Sequence, residues 1–393
     1  MASSQGSIPS THNPKTYSRE IVLLATLVLL LLAISFTAFA TRMYHKKYHM
    51  LGDEWFAKGE TSFQSGDAAA ALNDYRNALI YNPANPNFQF HLAQALAGTG
   101  RDEEARAYLM NLLSESPGSG QINLELARIA ARSGSKNMPE ALRFYHAAIY
   151  GVWDTDPIAM RWRIRREFCE YLLNNQAMNQ AEAEVIALAD NTGPEDAAEQ
   201  KVTGNLLLRA QMWNRALQQF QNMLTHDPRD QDALAGAGTA AFQLAQYSNA
   251  ADYFDRLPRE RRVQPDLVKT YEVSRDIGLS NPFLSGLSAN ERARRTAIAV
   301  ETAQARASAC VRQKGEISPG NQPKSPLEDA LATANRMAND WTERNLRRFP
   351  DRIEPAMSSV FEIEDAASKQ CGEPQGTDYA LWLLGRSRGG NGR

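Results

Sequence analysis

The sequence has little of several features that mark common protein classes. Three cysteines in 393 residues exclude a disulfide-rich scaffold and a zinc site made of four cysteines. Lys and Arg (43) nearly balance Asp and Glu (45), so the net charge of −2 gives no electrostatic reason to expect nucleic-acid binding. Aromatic residues make up 8% of the chain, which favours packed helices over sheets. The hydrophobic share of 43% can fill a core, which excludes wholesale disorder.

Sequence motifs for catalysis or cofactor binding are also missing. No phosphate-binding loop, His-Glu-x-x-His, Gly-x-Ser-x-Gly or Cys-x-x-Cys pattern occurs. His45 and His49 have a spacing that allows a shared metal ion, but Lys46 and Lys47 between them favour polar residues at a membrane interface. We therefore predict no enzymatic activity, no cofactor, no metal site, no small-molecule substrate and no nucleic-acid partner.

One long hydrophobic run stands out from a polar chain. Residues 21–40 read IVLLATLVLLLLAISFTAFA, twenty residues without a charge. At about 1.5 Å per residue, a helix of this length crosses the ~30 Å hydrocarbon core of a bilayer. We predict a transmembrane helix at 20–42, preceded by a disordered leader at 1–19, and we expect the protein to reside in a membrane with a single span.

Two other interpretations of this run are possible from the sequence. A buried core helix would carry a polar face, and this run has none. A cleaved signal peptide fits the small-x-small pattern of Ala38 and Ala40, but the run exceeds an ordinary signal core and bases follow it at once. The bases on its two sides nearly balance, so the positive-inside rule does not set the orientation. These bases are Lys15, Arg19, Arg42, Lys46 and Lys47.

A repeat of about 34 residues runs through the middle of the chain. Each copy has a small residue in a first helix, then a lone Ala in a second helix, and four residues later an aromatic or aliphatic core residue. We expect small residues where helix backbones approach to about 8 Å. The small residues lie 34, 34, 42, 35 and 34 residues apart, at Gly59, Ala93, Ala127, Cys169, Gly204 and Gly238.

This pattern resembles the tetratricopeptide repeat, a unit of two antiparallel helices, over about residues 52–260. The resemblance implies an all-α fold, a right-handed superhelix of helix pairs whose first helices line a concave groove for a peptide or partner helix. We expect this solenoid at 52–279, with about six repeats and one terminal helix. Cys169 takes the small-residue position of the fourth copy, so we expect it to be buried. Gly66, Gly100 and Gly134 are expected to be left-handed residues that end first helices.

The family's groove positions, transferred to this sequence, give candidate peptide-binding residues. Lys201 and Asn205 resemble the start of a carboxylate clamp, but Gly236 stands where the clamp would need Asn, so the clamp is incomplete. The candidates are Asp53, Phe56, Glu60, Phe63, Asn87, Phe90, Gln94, Gln121, Leu124, Arg128, Lys201, Asn205 and Phe242. Ala97, Leu208, Asp232, Ala235 and Thr239 occupy further groove positions.

Residues 280–393 lack the repeat and are predicted to form a helical domain with a short disordered basic tail. Cys310 and Cys371 lie near the ends of predicted helices and could form a disulfide if those helices pack antiparallel. Such a bond persists only in an oxidising compartment; the alternative is two reduced thiols in a cytoplasmic domain. The predicted helices are 288–312, 325–348, 353–369 and 378–384.

Together these features predict a membrane-anchored scaffold or adaptor that binds a protein or peptide partner in its groove. The hypothesis places it in a bacterial-type cell envelope, held by residues 21–40, with its C-terminal domain periplasmic or exoplasmic if the disulfide forms. Two alternatives stay open. One is a regulatory or accessory subunit of a membrane or cell-envelope enzyme complex, with any activity in the C-terminal region. The other is a structural envelope component without a dedicated ligand.

Overall fold

The computed structural model describes residues 14–134, 137–193, 195–314 and 325–389. Helices account for 81% of the protein, and the described residues contain no β-strand, which confirms the predicted all-α class. Backbone contacts divide the chain into two compact units, Met1–Ile164 and Arg165–Arg393.

The first helix, α1, is continuous over 51 residues, Pro14–Gln64. It joins the hydrophobic run to the first helix of the first repeat without a break. By length and composition it is the one described helix that could cross a membrane: an 18-residue window within it has a mean hydropathy of 2.8, and none of that window is buried. A signal sequence near an N-terminus would have the same character. Residues 14–19, part of the predicted leader, are helical, and residues 1–13 lie outside the described part.

The first unit contains three helix pairs and the start of α7. These pairs match the first three copies of the repeat, and from α1 to α6 each helix packs against the next one along the chain. Besides α1, the helices are α2 (Ala68–Tyr81), α3 (Pro86–Gly98), α4 (Asp102–Glu115), α5 (Gly120–Arg132), α6 (Met138–Ile149) and α7 (Pro157–Asn174).

The second unit begins within α7 and contains the remaining repeats. Copies four to six correspond to α7 with α8, α9 with α10, and α11 with α12. A further helix, α14, lies where the terminal helix was predicted, after a single short turn of helix, α13. The bounds are α8 (Met178–Asp190), α9 (Ala197–Arg209), α10 (Trp213–His226), α11 (Gln231–Gln243), α12 (Tyr247–Asp255), α13 (Arg259–Arg262) and α14 (Val268–Ser280). The handedness of the superhelix stays a prediction.

The small residues of the first helices make room for aromatic rings. A Cβ added to Gly59 would lie 2.5 Å from the ring of Tyr75, and one added to Gly204 would lie 2.7 Å from the ring of Phe220. Gly238 meets the ring of the sixth copy in the same way. Both named rings are fully buried. The small residues at these three positions are therefore required by a side chain of the second helix, a more specific cause than the backbone approach we expected.

The turn that ends each first helix has a left-handed backbone, but its residue type changes along the chain. Gly100 has φ +78°, which confirms the predicted glycine turn, whereas the matching residue of the sixth copy, Ala245, has φ +58°. A side chain at positive φ costs about 1–2 kcal/mol, so the later turns carry strain that the earlier ones avoid. The six positions are Gly66, Gly100, Gly134, Gln176, Gln211 and Ala245.

The C-terminal region forms a separate hydrophobic core within the second unit. Ser288 accepts a hydrogen bond from the Glu291 amide (3.2 Å), and Ser325 accepts one from the Glu328 amide (3.3 Å), so each serine caps the start of the helix that follows it. The helices are α15 (Ala289–Lys314), α16 (Pro326–Arg336), α17 (Glu343–Arg348), α18 (Ile353–Cys371) and α19 (Gly376–Gly389). α19 runs into the predicted basic tail, and residues 390–393 lie outside the described part.

The single helix predicted at 325–348 is wrong. The chain turns at 337–342, which separates α16 from α17. This turn buries Trp341 and Leu346 in the same core as α18, and Arg352 donates to Asp340 across it at 2.6 Å. Burial of these two side chains outweighs continuation of a regular helix.

Candidate functional site

Phe56, an aromatic groove candidate of the first repeat, takes part in the packing between the first and second repeats. Phe56 stacks on Phe88 of α3 with ring centroids 4.8 Å apart and meets the edge of His91 at 5.0 Å. Its ring also lies 5.6 Å from that of Tyr75. Phe56 is therefore half-buried by its own protein, and a ligand could reach only part of it.

Glu60, another predicted groove residue, is held by two neighbours. The Tyr75 hydroxyl donates to Glu60 Oε1 at 2.6 Å, and His91 Nε2 lies 3.4 Å from the same oxygen. Burial, with the hydrogen bond to Glu60, raises the pKa of Tyr75, so this hydroxyl stays a donor at physiological pH. His91 was not predicted, because it lies one position after the transferred groove residue Phe90.

Two groove candidates of the second and third repeats converge on a carboxylate. Gln94 Nε2 donates to Glu125 Oε1 at 3.1 Å, and Arg128 Nη1 donates to the same oxygen at 3.0 Å. The predicted neighbour Leu124 is instead buried, with 6% of its surface exposed. Glu125 was missed, although its spacing of three from Arg128 is typical of an ion pair on a helix.

A cavity of about 540 Å³ in the first unit gathers a third group of candidates. It lies beside the first turns of α3 and α5 and the last turn of α4, where the segment after α6 closes one side. Asp53 and Phe63 do not line it. The candidates that line it are Asn87, Phe90 and Gln121, with Leu112, Ile122 and Val152 as apolar neighbours.

The three candidates of the second unit have different surroundings. Lys201 forms an ion pair with Asp232, a groove position of the sixth copy, so its charge is already compensated. Asn205 is exposed. Phe242 meets Tyr247 edge-on at 5.4 Å and packs against the C-terminal core. Ten of the thirteen candidates lie in the first unit and three in the second.

The three cysteines occupy two kinds of environment. Cys310 and Cys371 form a disulfide with Cα atoms 6.0 Å apart, within the range for such bonds. Cys169 is fully buried at its repeat position, as predicted, and burial raises its pKa to about 12. A thiol with so high a pKa is a poor nucleophile, which agrees with a packing role.

A buried charged cluster lies next to the disulfide. Glu364 of α18 has no exposed surface and pairs with Arg306 of α15. Arg306 also donates to the Gly372 carbonyl at 3.0 Å, beside the disulfide. Burial raises the pKa of Glu364 to about 7; the charge of Arg306 opposes this shift and that of Asp378 adds to it. The cluster connects three helices of the C-terminal core; Glu364 is buried in it, whereas Arg306 and Asp378 are partly exposed.

The described part of the chain contains no group of three or more His, Cys, Asp or Glu side chains placed to hold a metal ion. Its polar clusters join neighbouring helices, and the open cavity in the first unit is lined by amide, hydroxyl, carboxylate and apolar groups. Such a lining can hold a ligand by hydrogen bonds, charge and apolar contact.

Comparison with known families supports the repeat interpretation. Residues 62–114 and residues 202–265 each match a family model described as tetratricopeptide repeat. The matched ranges fall on copies one, two, five and six, where the sequence pattern is clearest. No curated protein matches the chain.

Several solved structures resemble parts of the chain at low identity. One is YrrB, a tetratricopeptide-repeat protein with an unusual peptide-binding site, which is 17% identical and gives a TM-score of 0.37. The match covers 51% of this chain and 97% of the YrrB chain. A tetratricopeptide repeat protein from Parabacteroides merdae ATCC 43184 is 14% identical and gives a TM-score of 0.38. That match covers 74% of this chain and 99% of the other. The TPR2AB domain of yeast Sti1, in a complex with pHSP90, is 14% identical and gives a TM-score of 0.24. That match covers 57% of this chain and 99% of the other. At these identities and TM-scores, the likenesses carry no information on ligands.

Proposed function

We propose that this protein is a membrane-anchored scaffold or adaptor that binds a protein or peptide partner on its helix pairs. The observation that carries the proposal is the apolar part of α1, which no described part of the protein covers. Leu23 and Leu29, for example, are 67% and 66% exposed. Twenty such residues in water are strongly unfavourable, whereas a bilayer accommodates them.

The segment that follows the apolar run supports a position at a membrane surface. Tyr44 stacks on Tyr48 with centroids 5.4 Å apart, and Tyr48 meets Tyr81 of α2 edge-on at 5.0 Å. Tyrosines favour the boundary between lipid and water because their rings are apolar and their hydroxyls polar. Because α1 is continuous, the first helix pair would begin directly at this boundary.

Partner binding is supported by the repeat family and by the polar groups exposed on first helices. Tetratricopeptide-repeat proteins generally mediate protein or peptide binding as scaffolds. Here the first helices present exposed or half-buried polar side chains, among them Asn87, Gln94, Gln121 and Asn205. These groups can bind the backbone of an extended segment.

We further propose that the helical units face an oxidising compartment, the periplasm or its equivalent. The support is the pairing of Cys310 with Cys371, since such bonds persist in oxidising environments. Thiol alkylation of native membranes tests this. Both cysteines should resist alkylation until a reductant is added, and full reaction without reductant would contradict the placement.

Carbonate extraction of membranes tests the anchor. The full chain should stay with the membranes, and Leu29→Arg with Leu30→Arg should release it, because charges at the centre of a span oppose insertion. Leu279→Arg is the matched control, since Leu279 is 59% exposed outside α1 and its replacement should release nothing. Wild-type protein in the carbonate supernatant would disprove the anchor. Mass spectrometry of the N-terminus separates it from a signal peptide, whose cleavage would remove residues 1–40.

A further inference from the structure

The cavity of about 540 Å³ in the first unit has a chemistry that indicates what it binds. Three sets of groups surround it: apolar side chains, the capped starts of two helices, and two carboxylates. The inference below rests on the proposed scaffold function and adds the chemical class of the segment that is bound.

The apolar wall includes an exposed side chain on a fixed backbone. Val152 is 72% exposed, yet its backbone is held by two hydrogen bonds. The Gly120 amide donates to the Val152 carbonyl at 3.0 Å, and the Val152 amide donates to the Gly118 carbonyl at 2.8 Å. Phe90 and Leu112 line the same space. A partner's apolar side chain placed here would cover surface that the protein itself leaves in water.

The helix starts beside the cavity have few free donors for an anion. In α3, Asn85 accepts hydrogen bonds from the amides of Asn87 (3.0 Å) and Phe88 (3.3 Å). In α5, Ser119 accepts from the Ile122 amide (3.4 Å), and the Gly120 amide is bonded to Val152 as described. Amides at a helix start attract anions when they are free. Most of these amides are already bonded, so the site does not favour a phosphate or carboxylate.

The charged groups of the cavity are both acidic. Glu115, the last residue of α4, and Asp154 line it, and the described lining contains no Lys, Arg or His. Neither carboxylate forms a hydrogen bond or ion pair with another residue in the parts of the chain that the structure describes. Glu115 also stands at the carbonyl end of α4, where the helix dipole is negative. The site therefore attracts a cation.

We propose that this cavity binds an extended segment of the partner in which an apolar side chain is adjacent to a lysine or arginine. The apolar side chain contacts Phe90, Leu112 and Val152, and the base pairs with Glu115 or Asp154. The side-chain amides of Asn87 and Gln121, at the groove positions of their repeats, bind the backbone of the segment.

Selection from a random nonapeptide library on the full chain in detergent micelles tests this inference. Peptides with an apolar residue next to Lys or Arg should be enriched. For a labelled peptide from this set, E115Q with D154N should weaken binding roughly tenfold at low salt, the effect of losing one charged hydrogen bond. The difference should shrink at high salt, because screening weakens the pairing in wild type. Val152→Ser should weaken binding at both salt concentrations.

Glu103→Gln is the matched control, because Glu103 is an exposed acid of α4 that does not line the cavity. It should leave affinity unchanged. Enrichment of acidic peptides, equal binding by wild type and E115Q/D154N, or no enrichment of any peptide would each overturn the inference. A native partner that co-purifies equally with wild type and E115Q/D154N would preserve the scaffold function while removing this site from it. Absence of any partner from wild type would count against the scaffold function itself.

Discussion

The repeat pairs and the C-terminal core are both helical, but they are held together over different distances along the chain. In a repeat, Gly204 lies under the ring of Phe220, sixteen residues away, and the same spacing recurs in other copies. In the C-terminal core, Arg306 pairs with Glu364 across 58 residues, and the disulfide closes a separation of 61. Repeated short-range packing spreads stability over many similar contacts, whereas the C-terminal core concentrates it in a few long-range bonds.

Removal of the disulfide should produce the largest change in stability, and this change should be confined to the C-terminal core. C310S with C371S should lower the free energy of unfolding of the C-terminal core by about 4 kcal/mol, because the unfolded chain regains the freedom of a long loop. Amide hydrogen exchange of α15 and α18 measures the loss, and exchange of α2 to α4 should not change. The control is Cys169→Ala, since Ala takes the same position in copies two and three. Equal acceleration in all helices would contradict the contrast.

The buried Glu364 should make the C-terminal core sensitive to pH. Its pKa rises from an ordinary 4.5 to about 7 in the folded protein, so the folded state binds the proton more tightly than the unfolded state. The resulting stabilisation is complete below pH 4.5 and is lost as the pH rises through 7, a change of about 3 kcal/mol in the free energy of unfolding.

Urea unfolding from pH 4.5 to 8 checks this expectation for Glu364. E364Q should remove that part of the pH dependence, because the amide does not ionise. The measured quantity is the difference between wild type and E364Q, which cancels the titration of other groups. A difference that stays constant with pH would show that Glu364 is ionised throughout.

Overpacking of a repeat should lower the free energy of unfolding by less than either change in the C-terminal core. Ala105 is fully buried in α4, so Ala105→Leu should cost about 2 kcal/mol as neighbouring helices are pushed apart. Ala107 of the same helix is exposed, and Ala107→Leu should cost little. Thermal unfolding of both variants gives the comparison. Equal shifts in melting temperature would mean that the helix faces are wrongly assigned.

Substitution of the turn residues should give the smallest change in the free energy of unfolding, and the change should have opposite signs in two repeats. Gly100→Ala puts a side chain at φ +78° and should destabilise by about 1 kcal/mol, while Ala245→Gly relieves positive-φ strain and should stabilise by up to about 1 kcal/mol. Denaturant midpoints measure both. Changes of the same sign would show that factors other than the backbone decide these turns.

Much of the repeat architecture could be predicted because each signal is local. Ala71, Ala105 and Ala250 recur at the positions where two helices of a pair meet, and all three are fully buried. Glycine turns such as Gly100 depend on one backbone angle. The break between α16 and α17 could not be predicted in this way, because it depends on Trp341 reaching a core formed by distant helices.

The candidate site was predicted less completely than the fold. Asn87, Phe90 and Gln121 do line one cavity, but Val152 and Asp154 reach it from a segment outside the repeat pattern. His91 and Glu125 lie one position away from transferred groove positions, and Phe242 is partly buried against the C-terminal core. A groove position describes which way a side chain points, and its freedom to bind a ligand depends on neighbours from other elements.

The sequence by itself determined the helical class, the positions of the helix pairs and the presence of one apolar run long enough to span a bilayer. These follow from periodicity, small residues and hydrophobicity, which act within one or two helices. Only the tertiary structure decided that the apolar run continues into the first repeat as a single helix, that Glu364 is buried beside Arg306, and that Glu115 and Asp154 face one cavity. These properties arise from packing between residues far apart in the chain, where burial and charge depend on all neighbouring elements.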